Sequence, residues 1–487
     1  MLKLLLRDSL IYTIPAILSR GLSLLLLPLY TRVLNPADYA SLDLLLVFAN
    51  FISLSIALEI SQAVARFYGS ETDPKRKIDY ASTAFWFTIS SYSIFSITAF
   101  FHSEMLSAWV MGRPEFIEEF RAGIIYVFFN GILILSQDQF RWEMRSKHYA
   151  AVSILVTISS AAIAICLTYI YHLGLKGLLW GMAVGAALGQ LYCLWFLRKT
   201  YQFRFNPSRF KEMLAYSAPL VPASLMILLG IYIDRLMINY FMPIENVGLY
   251  GIGFRFASAI SLVMFGFQGA LTPLIYTYYQ DNETPKKIAR IFRTVVALAL
   301  IVTLVTSLFA YDFFVLMTSP EYYSASDLIT LLVPAIILAQ IIIFTPGINI
   351  AKKTHLSVWI NLAGLLIKIL LGSLLIPAIG VKGAALATLL GCLFSFSINM
   401  YFSQKFYPVP HDWRKIILAC IVFAVFIILS AEGTATLPTG QRLLASIFLI
   451  CVSPIIITFF GLINLSELRE IISIASNRIK KIHQRAH

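Results

Sequence analysis

Apolar runs long enough to cross a lipid bilayer follow one another along almost the whole chain. About 20 apolar residues span the hydrocarbon core as an α-helix, and about fourteen runs reach this length. The predicted spans cover residues 9–30, 42–67, 80–101, 119–140, 150–171, 177–197, 213–241, 248–278, 289–311, 326–349, 356–376, 383–403, 414–431 and 442–462. The sequence therefore predicts an all-α polytopic membrane protein with about 14 transmembrane helices.

Composition excludes a soluble enzyme. Hydrophobic residues make up 59% of the chain and charged residues 13%, against roughly 45–50% and 25% in soluble domains. The 38 Lys and Arg exceed the 25 Asp and Glu, which in a soluble chain would suggest nucleic-acid binding. Here the surplus is better explained by membrane topology, and we expect no nucleic-acid partner.

The basic residues between the spans alternate in abundance. On one side of the predicted membrane the connections and termini carry 27 Lys and Arg, and those on the other side carry 6. Because Lys and Arg accumulate in cytoplasmic loops, this ratio predicts that both termini are cytoplasmic. It also favours an even number of spans, since one missed span would assign every later loop to the opposite side of the membrane.

An internal repeat divides the chain. Residues 174–177 (GLKG) match residues 380–383 (GVKG) at an offset of 206, and two looser matches have nearly the same offset. An even six-span unit keeps its orientation when duplicated, so the two lobes should be related by a pseudo-two-fold axis along the membrane normal. The predicted parts are an N-lobe over residues 1–205, a C-lobe over 206–404, two extra spans over 405–462 and a basic amphipathic cytoplasmic tail over 463–487.

Charged residues inside the spans are the candidates for function, because a charge in hydrocarbon is costly. The cations are Arg20, Arg66, Arg235, Arg255 and Lys368, and the carboxylates are Asp43, Glu59, Asp138 and Asp234. We predict that together they line a wet cavity. A surplus of cations suits an anion, since guanidinium binds phosphate oxygens in a fork.

The spacing of these residues predicts which helix faces they occupy. On span two, Ser55, Glu59, Gln62 and Arg66 follow at intervals of 4, 3 and 4, which places them on one face of a continuous helix. On span eight, Arg255 and Gln268 belong to one polar stripe. Neighbours Asp234 and Arg235 point about 100° apart, so we expect them to contact different helices.

Several classes of catalytic motif do not occur in the sequence. It contains no GxxxxGK[ST] nucleotide loop, no HExxH and no GxSxG. The five cysteines lie in apolar runs without metal-ligand spacing. We therefore expect neither an enzyme nor a bound metal or cofactor; a coupling H⁺ or Na⁺ is the only small ion anticipated.

Four segments resemble a known family: residues 9–12 (SLIY), 28–40 (PLYTRVLNPADYA), 232–235 (YIDR) and 247–250 (VGLY). They are similar to bacterial polysaccharide-repeat-unit flippases of the multidrug/oligosaccharidyl-lipid/polysaccharide (MOP) exporter superfamily. The resemblance implies a V-shaped bundle of two lobes around a central cavity. It also implies movement of an undecaprenyl-diphosphate-linked oligosaccharide from the inner to the outer leaflet of the cytoplasmic membrane, for O-antigen, capsule or exopolysaccharide assembly.

By analogy with such flippases, the diphosphate or acidic sugars are expected to contact Arg20, Arg66, Arg235, Arg255, Gln268 and Lys368. Ion coupling or charge pairing is expected of Asp43, Glu59, Asp138 and Asp234. The expected partners are the lipid-linked oligosaccharide and membrane lipids, with a polysaccharide polymerase and glycosyltransferases nearby.

Three alternatives stay open at this point. A lipid II flippase belongs to the same superfamily and fits the same pattern. A cation-coupled multidrug exporter would favour a more acidic or apolar cavity, whereas the spans hold five cations and four carboxylates. A membrane glycan polymerase or ligase is disfavoured by the short outer loops and by the repeat.

Overall fold

The computed structural model describes residue 21 and residues 26–435, 439–459 and 461–462. These residues form helices and short connections, without a β-strand among them. The prediction of an all-α fold is therefore confirmed. The predicted tail over 463–487, Arg20 and most of span one lie outside the described residues.

The chain folds as two compact units. Of the described residues, those within 21–259, 317–324 and 369–384 form unit 1, and those within 260–316, 325–368 and 385–462 form unit 2. These units are defined by packing within the structure, whereas the lobes over 1–205 and 206–404 were inferred from the sequence repeat. The lobes and their symmetry axis therefore stay a prediction.

The first eleven described helices belong to unit 1. Their bounds are α1 Leu27–Val33, α2 Pro36–Ala57, α3 Ile60–Ser70, α4 Pro74–Phe101, α5 Ser103–Met111, α6 Ile117–Trp142, α7 Ser146–Ile165, α8 Gly174–Leu197, α9 Pro207–Ser217, α10 Val221–Phe241 and α11 Glu245–Ser258. A π-helical turn, Cys166–Ile170, continues α7, and a 3₁₀ turn, Ala218–Leu220, joins α9 to α10.

The later helices are α12 Ser261–Tyr278, α13 Thr284–Met317, α14 Ile329–Ile341, α15 Gly347–Ile350, α16 Thr354–Ile379, α17 Val381–Phe406, α18 Trp413–Ala435 and α19 Thr439–Phe459. Two 3₁₀ segments, Pro320–Leu328 and Ile342–Phe344, flank α14. Eleven helical segments of the described residues are long and apolar enough to cross a membrane. The predicted count of 14 is not confirmed, although the multi-pass character is.

Proline and a capping side chain define where several spans begin. Asn35 accepts a hydrogen bond from the Asp38 N–H at 2.8 Å, and Pro36 follows as the first residue of α2. The same arrangement starts α4 at Asp73 and α9 at Asn206. A side-chain acceptor satisfies an otherwise unpaired N–H, and proline needs no donor in the first turn.

Span two is not the continuous helix that the sequence predicted. Leu58 and Glu59 adopt left-handed backbone angles, with φ of 50° and 54°, so α2 ends at Ala57 and α3 begins at Ile60. The predicted single face through Ser55, Glu59, Gln62 and Arg66 is therefore wrong, because the break changes the helical register. Neither glycine nor proline marks this break in the sequence.

Span eight is also interrupted. α11 ends at Ser258 and α12 begins at Ser261, and the division between the two units falls at this turn. Arg255 and Gln268 therefore lie on different helices, and the polar stripe predicted to join them stays a prediction. Pro219 lies in the 3₁₀ turn that precedes α10, and Pro222 lies in the first turn of α10 itself.

Candidate functional site

A buried ion pair joins α10 to α2 in unit 1. Arg235 donates from Nε to Oδ2 of Asp43 at 2.8 Å, and the two side chains are 4% and 13% exposed. The Nη1 of Arg235 also donates to the Ile231 carbonyl at 3.2 Å. Arg235 thus has a carboxylate and a carbonyl as partners, which offset its desolvation.

Aromatic rings surround the same guanidinium. Its central carbon lies 4.5 Å from the ring centre of Phe254 and 5.4 Å from those of Tyr232 and Tyr250. Rings at this distance attract a cation through their negative faces. The sequence pattern did not predict these partners; an aromatic residue three positions before an intramembrane arginine, as at Tyr232, is the available signal.

Asp234 has a different hydrogen-bonding partner from its neighbour Arg235. Its Oδ2 accepts a hydrogen bond of 2.8 Å from the hydroxyl of Tyr250 on α11, and it is buried. Arg235 reaches α2 instead. The hydrogen-bonding partners of these neighbours therefore lie on different helices, as predicted, although Arg235 also contacts the rings of Tyr250 and Phe254 on α11.

Two glycines on α11 bring its backbone close to α2. A Cβ at Gly248 would overlap the Pro36 carbonyl oxygen, and a Cβ at Gly251 would lie 2.8 Å from Oδ2 of Asp43. The absent side chain at Gly251 leaves room for the carboxylate that pairs with Arg235. A larger residue there would compete with the ion pair for the same space.

Arg255 follows on α11, one turn after Gly251. Its guanidinium carbon lies 5.5 Å from the ring centre of Tyr39, and its side chain is half-buried. Within the described part of the chain it has no carboxylate partner, and the buried Tyr39 hydroxyl has no hydrogen-bond partner there either. The cluster of Asp43, Asp234, Arg235 and Arg255 is balanced in formal charge, but the donors of Arg255 are available to a ligand.

The other candidates of unit 1 lie on different elements. Asp138 accepts from the Ser61 hydroxyl at 3.1 Å and pairs with Arg141 at 3.4 Å. Arg66 is exposed and lies 4.5 Å from the ring centre of Tyr216. Glu59, at the break between α2 and α3, has no hydrogen bond or ion pair from its side chain within residues 26–435.

Two candidates fall in unit 2. Lys368 on α16 is buried, and Gly391 on α17 lies against it: a Cβ at Gly391 would be 3.2 Å from its Cβ. Gln268 on α12 donates to the backbone and side-chain oxygens of Gln340 at 3.0 and 2.8 Å. The structure thus brings four of the predicted site residues together on α2, α10 and α11, and the functional roles of all ten stay predictions.

The fold and the intramembrane charges define a class: an all-α, multi-pass membrane protein. The family described as "Polysaccharide biosynthesis protein" matches residues 5–279, and the MatE family matches residues 219–374. Since the first match covers more than half of the chain, the chain belongs to the polysaccharide biosynthesis protein family. The family resemblance inferred from the sequence is confirmed.

Known relatives and structures agree with this membership. "Lsg locus putative protein 1" of Haemophilus influenzae is 23% identical over 291 residues, covering 57% of this chain and 67% of that protein. The lipid II flippase MurJ in an inward closed conformation has a TM-score of 0.67 at 15% identity, covering 91% of this chain and 98% of that one.

An inward-facing multidrug resistance MATE family transporter of the MOP superfamily has a TM-score of 0.66 at 15% identity, covering 79% of this chain and 94% of that one. The Vibrio cholerae MATE transporter VcmN D35N has a TM-score of 0.58 at 14% identity, covering 83% and 96%. At these identities the likeness establishes the MOP fold.

Proposed function

We propose that this protein moves an undecaprenyl-diphosphate-linked oligosaccharide repeat unit from the inner to the outer leaflet of a bacterial cytoplasmic membrane. Family membership supports the polysaccharide pathway. The observation that carries the proposal is Arg255: an intramembrane guanidinium without a carboxylate partner in the described chain, beside the Asp43–Arg235 pair and the ring of Tyr39.

The physical problem of such a flippase is the polar head of its substrate. A diphosphate and its glycan cannot cross hydrocarbon unaided, whereas the prenyl tail has no need to leave the lipid. A guanidinium forms bidentate, charge-assisted hydrogen bonds to phosphate oxygens. Arg255 therefore binds the diphosphate in this proposal, and Asp43–Arg235 holds α2 and α10 in position around it.

The leaflet distribution of the lipid-linked oligosaccharide tests the proposal. Host cells with and without the gene are treated with a membrane-impermeant glycan-modifying reagent, which reacts with the outer-leaflet pool. Loss of the outer pool with retention of the inner pool is expected on deletion. An unchanged distribution, in a host without a redundant flippase, would contradict it and bring forward the drug-exporter and polymerase alternatives.

A variant of Arg255 sharpens the assignment. Since hydrogen bonds to charged groups contribute about 1.5–3 kcal/mol, Arg255→Ala should slow flipping roughly ten- to hundredfold. Arg255→Lys keeps the charge but loses the fork and should be intermediate. Both variants should fold normally, because no ion pair is broken; equal flipping by Arg255→Ala and wild type would exclude Arg255 from substrate binding.

A second candidate is lipid II, which also carries a diphosphate on an undecaprenyl tail. The likeness to MurJ over 91% of this chain favours keeping it. Complementation separates the two: rescue of a strain depleted of its lipid II flippase supports this alternative. Rescue of polysaccharide export alone supports the repeat-unit substrate.

Ion-gradient coupling is part of the same proposal. Among the four predicted carboxylates, Asp43 and Asp138 have arginine partners and Asp234 has a phenol donor. Glu59 is the one whose side chain has no such partner in the described residues, so it is the best candidate to exchange H⁺ or Na⁺. Glu59→Gln should uncouple flipping from the gradient, whereas Asn50→Gln, an exposed polar change on α2, should not.

The membrane orientation also remains part of the proposal. The distribution of Lys and Arg favours the inner membrane with both termini in the cytoplasm. A polymerase and glycosyltransferases are the proposed neighbours, since they supply and consume a repeat unit of this kind.

A further inference from the structure

Unit 2 contains a cavity of about 350 Å³. It is formed by α12, the broken segment around α15, α16 and α17. Its volume is near the lower end of small-molecule sites, which measure roughly 300–1,000 Å³. The polar side chains that line it include Gln268, Tyr276, Asn349, Ser357, Asn361 and Asn399.

The lining is polar but uncharged. Amides and hydroxyls are mixed with aliphatic groups such as Ile275 and Ile348, and none of the described residues that line the cavity is a Lys, Arg, Asp or Glu. A diphosphate would find no cation there, and a metal or coupling ion no carboxylate. A prenyl tail would leave the amides unsatisfied, which is costly away from water.

Three of the polar groups keep their hydrogen-bonding capacity. The side chains of Asn349, Asn361 and Ser357 have no hydrogen-bond partner in the described chain. By contrast, the Nδ2 of Asn399 donates to the Ser395 carbonyl at 2.9 Å, and the Thr345 hydroxyl donates to the Ile342 carbonyl. The wall thus combines fixed groups with groups available to a ligand.

The break between α14 and α15 gives this wall its shape. Pro346 ends the helical ladder, and the Gly347 N–H donates to the Ser403 hydroxyl at 2.9 Å. A Cβ at Gly347 would overlap the Ser403 carbonyl oxygen. The segment carrying Asn349 is therefore fastened to α17, so part of the cavity is preformed.

The cavity lies at one end of its helices. Tyr276 is near the end of α12, Ser357 and Asn361 are in the first turns of α16, and Asn399 is near the end of α17. Lys352 and Lys353, in the connection before α16, and Lys405, in the last turn of α17, are cations that the charge pattern assigns to the cytoplasmic side. A polar head made in the cytoplasm would meet this end first.

We infer that this cavity binds a neutral sugar ring of the glycan, separately from the diphosphate site at Arg255. This inference rests on the proposed flippase function. Side-chain amides and the Ser357 hydroxyl match the paired donors and acceptors of vicinal sugar hydroxyls, and the ring of Tyr276 offers an apolar face to a pyranose. The exposed Asn361 lies within an apolar helix, where a polar group needs a wet cavity or a ligand.

Two binding measurements on the full-length protein in nanodiscs test the inference. The first uses saturation-transfer NMR with methyl glycosides of glucose, galactose, N-acetylglucosamine and N-acetylgalactosamine. The second measures binding of undecaprenyl diphosphate, which lacks sugar. Wild type should bind undecaprenyl diphosphate and at least one methyl glycoside.

Asn361→Leu and Asn349→Leu should each weaken methyl glycoside binding about tenfold, since each removes about 1–2 hydrogen bonds. Binding of undecaprenyl diphosphate should be unchanged. Asn239→Leu, an exposed asparagine of α10 in unit 1, is the matched control and should leave both measurements unchanged. Thermal unfolding of each variant verifies that it is folded.

The outcomes separate the two proposals. Methyl glycoside binding that survives both cavity substitutions, or is absent in a wild type that binds undecaprenyl diphosphate, would overturn the sugar site alone. Absence of undecaprenyl diphosphate binding together with an unchanged leaflet distribution on deletion would overturn the proposed function. Arg255→Ala should have the opposite effect to the cavity variants. It should weaken binding of undecaprenyl diphosphate and leave binding of the methyl glycosides unchanged.

Discussion

The charged cluster of unit 1 and the amide-lined cavity of unit 2 differ in how their polar side chains are partnered. In the cluster, Arg235 is paired with Asp43 and covered by aromatic rings, because an isolated charge would be too costly. In the cavity, Asn349 and Asn361 keep unused hydrogen-bonding groups. Leaving a neutral amide without a partner costs much less free energy than leaving a charge without one. The amides can therefore stay available to a ligand, whereas the charge needs a partner within the protein.

An intramembrane charge that the sequence predicts can stabilise the fold rather than bind the substrate. Arg235 and Arg255 are both intramembrane arginines of the same region. One is held by a carboxylate and a carbonyl, whereas the other lies against the ring of Tyr39 and has no carboxylate partner in the described chain. Removing Arg235 should therefore damage the fold, and removing Arg255 the transport.

The largest expected effect on stability is that of Arg235→Ala. It leaves Asp43, whose side chain is 13% exposed, without its cation, and breaking a largely buried pair costs about 3–5 kcal/mol of unfolding free energy. Denaturant or thermal unfolding of the purified protein measures it. The cavity variant Asn361→Leu should change stability by less than about 0.5 kcal/mol.

A double variant is the control for this difference. Asp43→Leu combined with Arg235→Met removes both charges and should recover most of the lost stability. If the double variant is as unstable as Arg235→Ala, the unpaired Asp43 charge is not the cause of the lost stability. That result would contradict the difference drawn between the paired charges of unit 1 and the unpaired amides of unit 2.

Tyr250→Phe should have the next largest effect. It removes the 2.8 Å hydrogen bond to Asp234, and the loss of a bond to a buried charged group costs about 1.5–3 kcal/mol. Tyr276→Phe is the matched change in unit 2, where the hydroxyl has no hydrogen-bond partner in the described chain. We expect the same unfolding assay to leave that variant unaffected; equal losses in the two variants would contradict the assignment.

Gly248→Ala tests the close contact between α11 and α2. The added Cβ meets the Pro36 carbonyl oxygen, which is backbone and cannot rotate away, so about 1–3 kcal/mol of stability should be lost. Gly69→Ala on α3 is the control, because a Cβ there meets nothing within 4 Å. It should gain about 0.5–1 kcal/mol from helix propensity, and a neutral Gly248→Ala would show that the helices separate easily.

A pH-dependent effect is expected of His411, in the connection before α18. Burial among Phe292 and Trp413, at ring distances of 4.7 and 5.1 Å, lowers the pKa of His411 to about 4. Because the folded state disfavours the proton relative to an unfolded pKa near 6.5, the contribution to stability is present above pH 6.5. It is lost as the pH falls from 6.5 towards 4.

The variant His411→Phe keeps the aromatic packing and removes the titration. Between pH 7.5 and pH 4.5, the midpoint temperature of wild type should fall more steeply than that of the variant. Parallel curves would mean that other groups account for the acid sensitivity. The Asp43–Arg235 pair of unit 1 should not contribute to the difference, since it is unchanged in both proteins.

The sequence predicted the element type and most span positions correctly because apolar length is a local property. Span ten, for example, was predicted over 326–349, and the corresponding helical segment covers Pro320–Ile350. The starts of α2, α4 and α9 can also be recognised in the sequence, because Asn or Asp followed by proline caps a helix whatever surrounds it.

The breaks at Leu58–Glu59 and Ala259–Ile260 were not predicted. Neither contains glycine or proline, so local propensity favours a continuous helix across each. Two left-handed residues persist at the first break only because the surrounding packing holds them. The partners of the charges were hidden for the same reason: nothing in the spacing joins Asp43 to Arg235, which lie 192 positions apart.

By itself, the sequence determined that this chain is a multi-pass helical membrane protein of the polysaccharide biosynthesis family. Hydrophobic length, capping residues and short motifs act within one segment and need no partner. Only the tertiary structure decided which arginine is neutralised, which amides remain available and where the spans break. Those outcomes depend on atoms that approach within about 3 Å from distant parts of the chain, and a linear pattern does not encode such approaches.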